Sequence, residues 1–412
     1  MRHQRYLSYF LISTSLLCTL VAGFCVLVDP LDIYRIVVRE GFNERKSEYQ
    51  SYARIAKPVQ IEYHHPERLA FGSSRVDLAM PMEYGAAAQQ YPNGFNAGLN
   101  SANLRSILEL LQHASITGEV KDVLIGVDFY MFNGMNQMPY MYPDMLASLN
   151  PDPWQRHFQQ ISTTIFSPGM LSASISTLRH QDGLPKRKQT GQAYMEAEIA
   201  KALENGYESQ FRQYEDGLVR HVWTPCRDNR FSYHYAGYPD TVAIFRDILA
   251  LADSEGFRLT LFIAPVHARM LEVLDASGLW PAYEQWKRDM VQMVEATGNP
   301  NITLWDFSGY HAYSVEPVPE DPAITMQWYI DSSHYTEALA EIMLDVMYAE
   351  RRDFGTQLTG SNIDDHLARL RHARDAYRAE HPVQFEALNR RTQRLLAEKQ
   401  RNGRYCPETV TD

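Results

Sequence analysis

The chain has 412 residues, 45% hydrophobic and 12% aromatic, which is enough to bury a sizeable core and excludes a mainly disordered protein. A net charge of -11 and a pI near 5.7 argue against a nucleic-acid partner, because binding phosphates needs a concentrated basic surface. The length suits one large domain with insertions or two modest ones.

The first element is Tyr6–Val28, YLSYFLISTSLLCTLVAGFCVLV, which carries no charged residue. As a helix it is roughly 34 Å long and matches a hydrocarbon core of about 30 Å. Arg2 and Arg5 precede it, and Asp29 and Asp32 follow. The positive-inside rule then keeps the N-terminus cytoplasmic and puts everything beyond Val28 in an extracytoplasmic, periplasmic space. A cleaved signal would have a shorter apolar run. Ala22-Gly23 is a poor cleavage site, and Cys25 lacks the small residue expected before a lipidated cysteine. The expectation is a retained single span in the cytoplasmic membrane. Of the four cysteines, Cys18 and Cys25 fall in this run as apolar filler. Cys226 and Cys406 would lie in an oxidising compartment, where they either pair and staple the C-terminal tail to the middle of the chain or stay free. No CxxC or Cys/His cluster suggests zinc, so no metal or cofactor is expected.

Beyond the span, apolar segments alternate with amphipathic ones. Strands are expected at Arg68–Phe71, Gly94–Ala97, Asp122–Val127, Leu259–Ile263 and Ile302–Trp305. Helices are expected over Ala102–Ser115, Thr241–Ala252, Ala282–Ala296 and Ala338–Tyr348. The apolar run DVLIGV suits a strand covered on both faces. This alternation predicts a parallel α/β sheet, with chemistry at the carboxyl ends of its strands.

Two regions break the alternation. Phe129–Ala236 is too long for a simple crossover and is expected to be an insertion with its own helices, such as Gln192–Glu204. It opens on Met131, Met135, Met138, Met141 and Met145, mixed with Tyr140 and Tyr142. No histidine or cysteine is interleaved there, which argues against copper; a loop packed over the sheet or a contact for a membrane partner fits better. After Arg351 come two charged helices flanking His381-Pro382, with Leu367, Leu370 and Tyr377 on a stripe suited to docking. The expected organisation is a cytoplasmic stub and anchor (1–28), a juxtamembrane segment (29–66), one α/β domain (67–350) with its insertion at about 129–236, and a helical tail (351–412).

Four short blocks carry the candidate chemistry. Phe71-Gly72-Ser73-Ser74 ends the first strand, and Phe95-Asn96-Ala97-Gly98-Leu99-Asn100 ends the second. Gly126-Val127-Asp128 ends the third, and Asp331-Ser332-Ser333-His334 precedes the last helix of the α/β pattern. A serine becomes a useful nucleophile when a base takes its proton and a neighbour steadies that base. Asp331 and His334 have the spacing to be that pair, although Asp and Ser there would equally suit a helix N-cap.

In order and strand context, these blocks resemble the SGNH (GDSL-type) hydrolase superfamily over about Arg68 to Tyr348, outside the insertion. The resemblance implies a flavodoxin-like three-layer domain in which Ser74 is the nucleophile, His334 its base and Asp331 the orienting acid. It also implies that the N–H groups of Ser74 and Gly98 face the oxyanion, with Asn100 a further oxyanion or substrate contact. Two positions depart from the pattern: Ser73 replaces an aspartate, and Asp128 replaces the oxyanion-hole asparagine. An ionised carboxylate would repel a developing negative charge. Asp128 is therefore turned away or protonated, or other groups make the hole, or the chain is not a standard hydrolase.

With the anchor and the Gly-Ser-Ser block, the chain resembles single-span accessory proteins of cell-surface acylation, of the D-alanyl transfer and alginate O-acetylation types. That resemblance implies a serine esterase or O-acyltransferase acting on an exopolysaccharide or other acylated glycan of the cell envelope, beside a multi-span acyltransferase. The other reading is a non-catalytic scaffold or glycan-binding subunit serving such a partner. A free-standing lipase or thioesterase is disfavoured because it needs no permanent anchor. Two further residues stand near these blocks. Arg75 would attract an anionic substrate or form a structural ion pair, and His267, after the strand LTLFI, would line the pocket or hydrogen-bond backbone.

Overall fold

A computed structural model of the chain describes residues 2–136, 139–183, 187–321, 323–349 and 354–410. Met138 and Arg351, named above, lie outside the described residues. The chain runs through helices α1 (Arg2–Val28) and α2 (Tyr49–His64), strand β1 (Arg68–Phe71), then α3 (Ser74–Ala79) and α4 (Gly85–Gln90). Next come β2 (Gly94–Asn96), α5 (Leu104–Thr117), β3 (Asp122–Val127), α6 (Pro153–Thr164) and α7 (Pro168–Arg179). They are followed by α8 (Glu196–Asn205), α9 (Tyr207–Gly217), α10 (Thr241–Glu255), β4 (Arg258–Ile263), α11 (Ala268–Ala276) and α12 (Trp280–Ala296). The chain ends with β5 (Ile302–Asp306), α13 (Glu337–Tyr348), β6 (Thr356–Gln357), α14 (Ile363–Glu380) and α15 (Pro382–Asn402).

These elements divide into two compact units. One comprises the N-terminal stretch to His65, Gln112–Gly118 and Met141–Gln189; the other comprises Pro66–Leu111, Glu119–Tyr140 and the chain from Thr190 onward. Each is assembled from discontinuous segments, so no linker marks the division in the sequence. The juxtamembrane stretch to His65 and residues 141–189 of the expected insertion belong to the first unit. The rest of that insertion and the described part of the tail belong to the second.

The second unit is mixed α/β. Its sheet has the order β2-β1-β3-β4-β5-β6, with the first five strands parallel and β6 antiparallel to β5. β6 spans two residues and carries no sequence periodicity that could announce it. Every residue of β1 and β3 is buried, so both faces of the sheet centre are covered, as their continuous apolar runs require. On one face, Ala70, Leu124, Phe262 and Trp305 pack in a core with Val76 and Ala79 of α3 and Leu339, Ala340 and Met343 of α13. In the tail, Leu367 and Leu370 are buried, and Cys226 and Cys406 form a disulfide across 180 residues of chain.

In the first unit, α1 is long and apolar enough to cross a membrane and is largely exposed. Its C-terminal end is held tightly. Asn43 donates from its side chain to the carbonyls of Leu27 and Val28, and Lys46 donates to Val28 O. Asp29 accepts from the backbone N–H groups of Ile33, Tyr34 and Arg35, while Asp32 pairs with Arg35. The two aspartates that follow the apolar run thus fold a turn rather than merely flanking a span.

The tail is also joined to the sheet by charge. Asp306, the last residue of β5, is fully enclosed between Lys287 of α12 at 2.6 Å and His366 of α14 at 2.8 Å. Burial alone would raise its pKa, but Lys287 and His366 together hold it well below the usual carboxylate range. A depressed folded-state pKa means that the stability Asp306 contributes is present above its unfolded value near 3.9 and is lost as pH falls through and below it. Asp306→Asn, which strands a buried Lys287, is expected to cost about 3–5 kcal/mol at neutral pH. The gap between wild type and variant in urea unfolding should narrow when the measurement moves below about pH 3.9.

Candidate active site

The second unit places the first and third blocks at the carboxyl ends of neighbouring strands. β1 pairs with β2 on one side and β3 on the other, so the strand order reverses there, which is where a crevice opens in a parallel sheet. Ser73 and Ser74 leave β1 directly into α3, and Asp128 leaves β3. Gly72 turns the chain with φ of 154°, a value that disfavours a side chain.

The glycines of the first three blocks share one cause, the close approach of α3. At Gly72 a Cβ would overlap the Val76 side chain, and at Gly126 it would lie 2.6 Å from the same methyl group. At Gly98 it would lie 2.6 Å from the backbone nitrogen of Asp77. Asn96 completes the seat by donating from its side chain to Val76 O and Met80 O. The short helix that starts at Ser74 therefore has one resting place.

The fourth block folds as a closed loop. Tyr329 and Tyr335 form an antiparallel bridge across it, and Ile330 N–H donates to His334 O. Within the loop, Asp331 Oδ1 accepts from the N–H groups of Ser333 and His334, and Asp331 Oδ2 lies 2.7 Å from His334 Nδ1. Thr336 takes the N-cap position of α13, so Asp331 does not cap that helix. With the Nδ1 proton directed at the carboxylate, His334 Nε2 is the acceptor. Ser74 Oγ stands 2.7 Å from it. Ser74, His334 and Asp331 are thus hydrogen-bonded in series although 260 residues separate the serine from the histidine.

Arg75 and Asp128 form a buried ion pair. Burial alone would lower the guanidinium pKa, yet Asp128 more than offsets this and leaves it raised. Asp128 also accepts from Ser73 Oγ at 2.6 Å, while Arg75 Nε donates to Ser333 O and its Nη2 to Ser333 Oγ. One pair of charges thereby ties the first, third and fourth blocks together. Asp128 is turned onto Arg75 and Ser73, and Arg75 serves as a structural partner.

The remaining candidates fall as follows. Gly98 N–H donates to Asn96 Oδ1 at 3.0 Å. Asn100 lines the cavity over Ser74. His267 is buried away from that cavity: its Nδ1 caps α11 by accepting from Arg269 N–H, and its Nε2 lies 2.7 Å from Glu316 O. Burial pushes its pKa down to about 4, so it is neutral at ordinary pH. Its backbone N–H donates to Ser332 O, so His267 supports the loop of the fourth block rather than lining the pocket.

The cavity measures about 460 Å³. One wall is Asn100, Ser101, Tyr130 and Asn136; the other is Lys201, Gln213, Tyr214, Leu218, His221 and Val222. None of the second wall was identifiable from the sequence, because it comes from the insertion, which has no motif. Tyr214 packs edge-on against His334 at 5.0 Å between ring centres. Burial, with Asp331 adding to it, raises the Tyr214 pKa and keeps the phenol neutral. After α9 the wall continues as a π-helical turn, Leu218–Val222, whose Val219 carbonyl accepts from Lys399 of α15. Glu215 of α9 is bound by Arg269 of α11 and Arg391 of α15. The tail therefore braces this wall from behind.

No protein-family model matches the chain, and no curated protein matches it in sequence.

The ion pair makes a specific energetic prediction. Arg75→Met strands the Asp128 carboxylate in the interior and should cost about 3–5 kcal/mol. Adding Asp128→Asn to it should recover part of that loss, giving a coupling of roughly 0.5–3 kcal/mol in a double-mutant cycle of urea unfolding. Additive losses would mean that the two side chains do not interact.

Proposed function

We propose that the chain is a membrane-anchored, extracytoplasmic acyl-ester enzyme of SGNH-like type that transfers or removes acyl groups on a cell-surface polysaccharide. The observation that carries this reading is the Ser74–His334–Asp331 series, joined by two hydrogen bonds of 2.7 Å at the mouth of a cavity. The strand order 2-1-3-4-5 is that of flavodoxin-like sheets and agrees with the fold that the four blocks imply. The charge-free run Tyr6–Val28 of α1, with Arg5 just before it, supports the anchor, and the Cys226–Cys406 disulfide suits an oxidising compartment.

In the first half-reaction, Ser74 Oγ attacks the carbonyl carbon of an acyl ester and its proton passes to His334 Nε2. Asp331 stabilises the imidazolium through Nδ1. As the tetrahedral centre collapses, His334 returns the proton to the departing alcohol oxygen, leaving acyl-Ser74. In the second half, the hydroxyl of a glycan, or water, gives its proton to His334 and attacks the acyl carbon, and Ser74 is restored. The oxyanion faces the Ser74 N–H, which as the first of its helix has no intrahelical acceptor, and the Asn100 side chain on the cavity wall. The neutralised Asp128 opposes this charge less than a free carboxylate would. Amide and hydroxyl side chains beside tyrosine rings suit a sugar better than a long acyl chain.

A second reading, a scaffold or glycan-binding subunit working beside a multi-span acyltransferase, is favoured by one observation: Gly98 N–H is already bound to Asn96. Polymer acylation in cells separates the two. Under the enzyme reading, Ser74→Ala and His334→Ala each lower it as far as deletion does. With the purified full-length protein, either change should cut turnover of an activated acetyl ester by about 10⁴-fold or more. Wild-type acylation by both variants would instead establish the scaffold.

A further inference from the structure

The first unit contains a helix whose polarity is inverted. In α6 the polar residues face inward: Arg156, Gln160 and Thr164 are buried. Arg156 makes two hydrogen bonds to Glu62 of α2, Gln160 donates to the same carboxylate at 2.7 Å, and Thr164 Oγ1 lies 3.1 Å from Tyr34 Oη. The apolar residues face outward at the i, i+4, i+7 spacing of one stripe, with Trp154 87% exposed, Phe158 70% and Ile161 38%. Phe166, in the turn to α7, is exposed as well. An amphipathic helix on a water-facing surface buries its apolar stripe, so this arrangement demands something apolar outside.

The same unit indicates what that is. α7, which follows Phe166 directly, packs along α1. From Val21 onward α1 becomes partly covered, with Cys25 and Val28 buried and Leu27 still exposed, while residues 3–20 are exposed throughout. The exposed part of the charge-free run, Tyr6–Leu20, is about 22 Å long, and a hydrocarbon core of about 30 Å entered at Tyr6 ends within residues 21–28. The place where α1 becomes protein-covered is therefore where a bilayer would end, and α7 lies at that level. Tyr34, six positions past the end of α1, touches the last residue of α6, and Ile36, Val37 and Val38 beside it are also exposed. The C-terminal end of α6 is thus held beside the segment that leaves α1.

We propose that α6 is an in-plane membrane helix, with Trp154, Phe158, Ile161 and Phe166 seated in the interfacial zone of the leaflet from which α1 emerges. Tryptophan and phenylalanine are residues that this zone accommodates, at a depth of about 5–10 Å around the headgroup and acyl boundary. The interface then grips the first unit at two points, a span and a surface helix, which restrains its tilt. This inference rests on reading α1 as a membrane span.

The test uses the full-length protein in phosphatidylcholine–phosphatidylglycerol vesicles that contain no other protein, with or without bromine near the glycerol end of the acyl chains. The emission lost on changing Trp154→Phe reports the environment of that one side chain. It should be blue-shifted, quenched by the brominated lipid and protected from aqueous iodide. If the protein floats with the vesicles but this emission is quenched by iodide and indifferent to bromine, α6 does not enter lipid, and a protein partner becomes its occupant. If the protein fails to float with the vesicles, the span itself is wrong and the inference falls with it.

Discussion

The second unit is organised around one buried charge pair, Arg75 with Asp128. Arg75 directly follows Ser74, and Asp128 directly follows the adjacent strand. Through Ser73 and Ser333 the pair fixes the beginning of α3 against the loop that carries His334. Parallel strands bring their carboxyl ends together, but they do not set the distance between the loops beyond them. Here that distance is set by hydrogen bonds to a guanidinium and a carboxylate that neutralise each other away from water. Removing either one leaves a charge with no solvent to receive it, which is why the arrangement is rigid. Preorganisation of this kind is what a serine nucleophile requires, since geometry must exist before the ester arrives.

Much of this was legible in the sequence. The five parallel strands fall within a residue or two of the apolar runs that announced them, because strands covered on both faces must be apolar throughout. The link from Ser74 to His334 was readable from the order of the blocks. The role of Asp128 was not: the sequence shows a carboxylate where a neutral donor was expected, and only the fold shows the arginine that neutralises it. Arg75 had two readings, and its burial decides for the ion pair. His267 likewise had two, and its capping bond to α11 decides for support of the backbone.

What the sequence concealed has a common physical origin. Lys201, Gln213, Tyr214 and His221 reach the cavity from helices that carry no motif, because a wall needs only the right shape and polarity. The two compact units interleave along the chain, so neither composition nor a linker betrays their division. α2, with Pro58 inside it, breaks the propensity rules that would have revealed it. The inverted polarity of α6 could not be read from its pattern, since an apolar stripe at helical spacing is by default a buried one.

The account stands on Ser74 acting as a nucleophile made reactive by His334. Its most direct test is mass spectrometry of the intact full-length protein after brief exposure to an activated acetyl ester, followed by peptide mapping. The account predicts one acetyl group on the peptide that begins the helix after β1, carried by Ser74, and its absence from His334→Ala. An unmodified serine, or equal labelling with and without the imidazole, would contradict it.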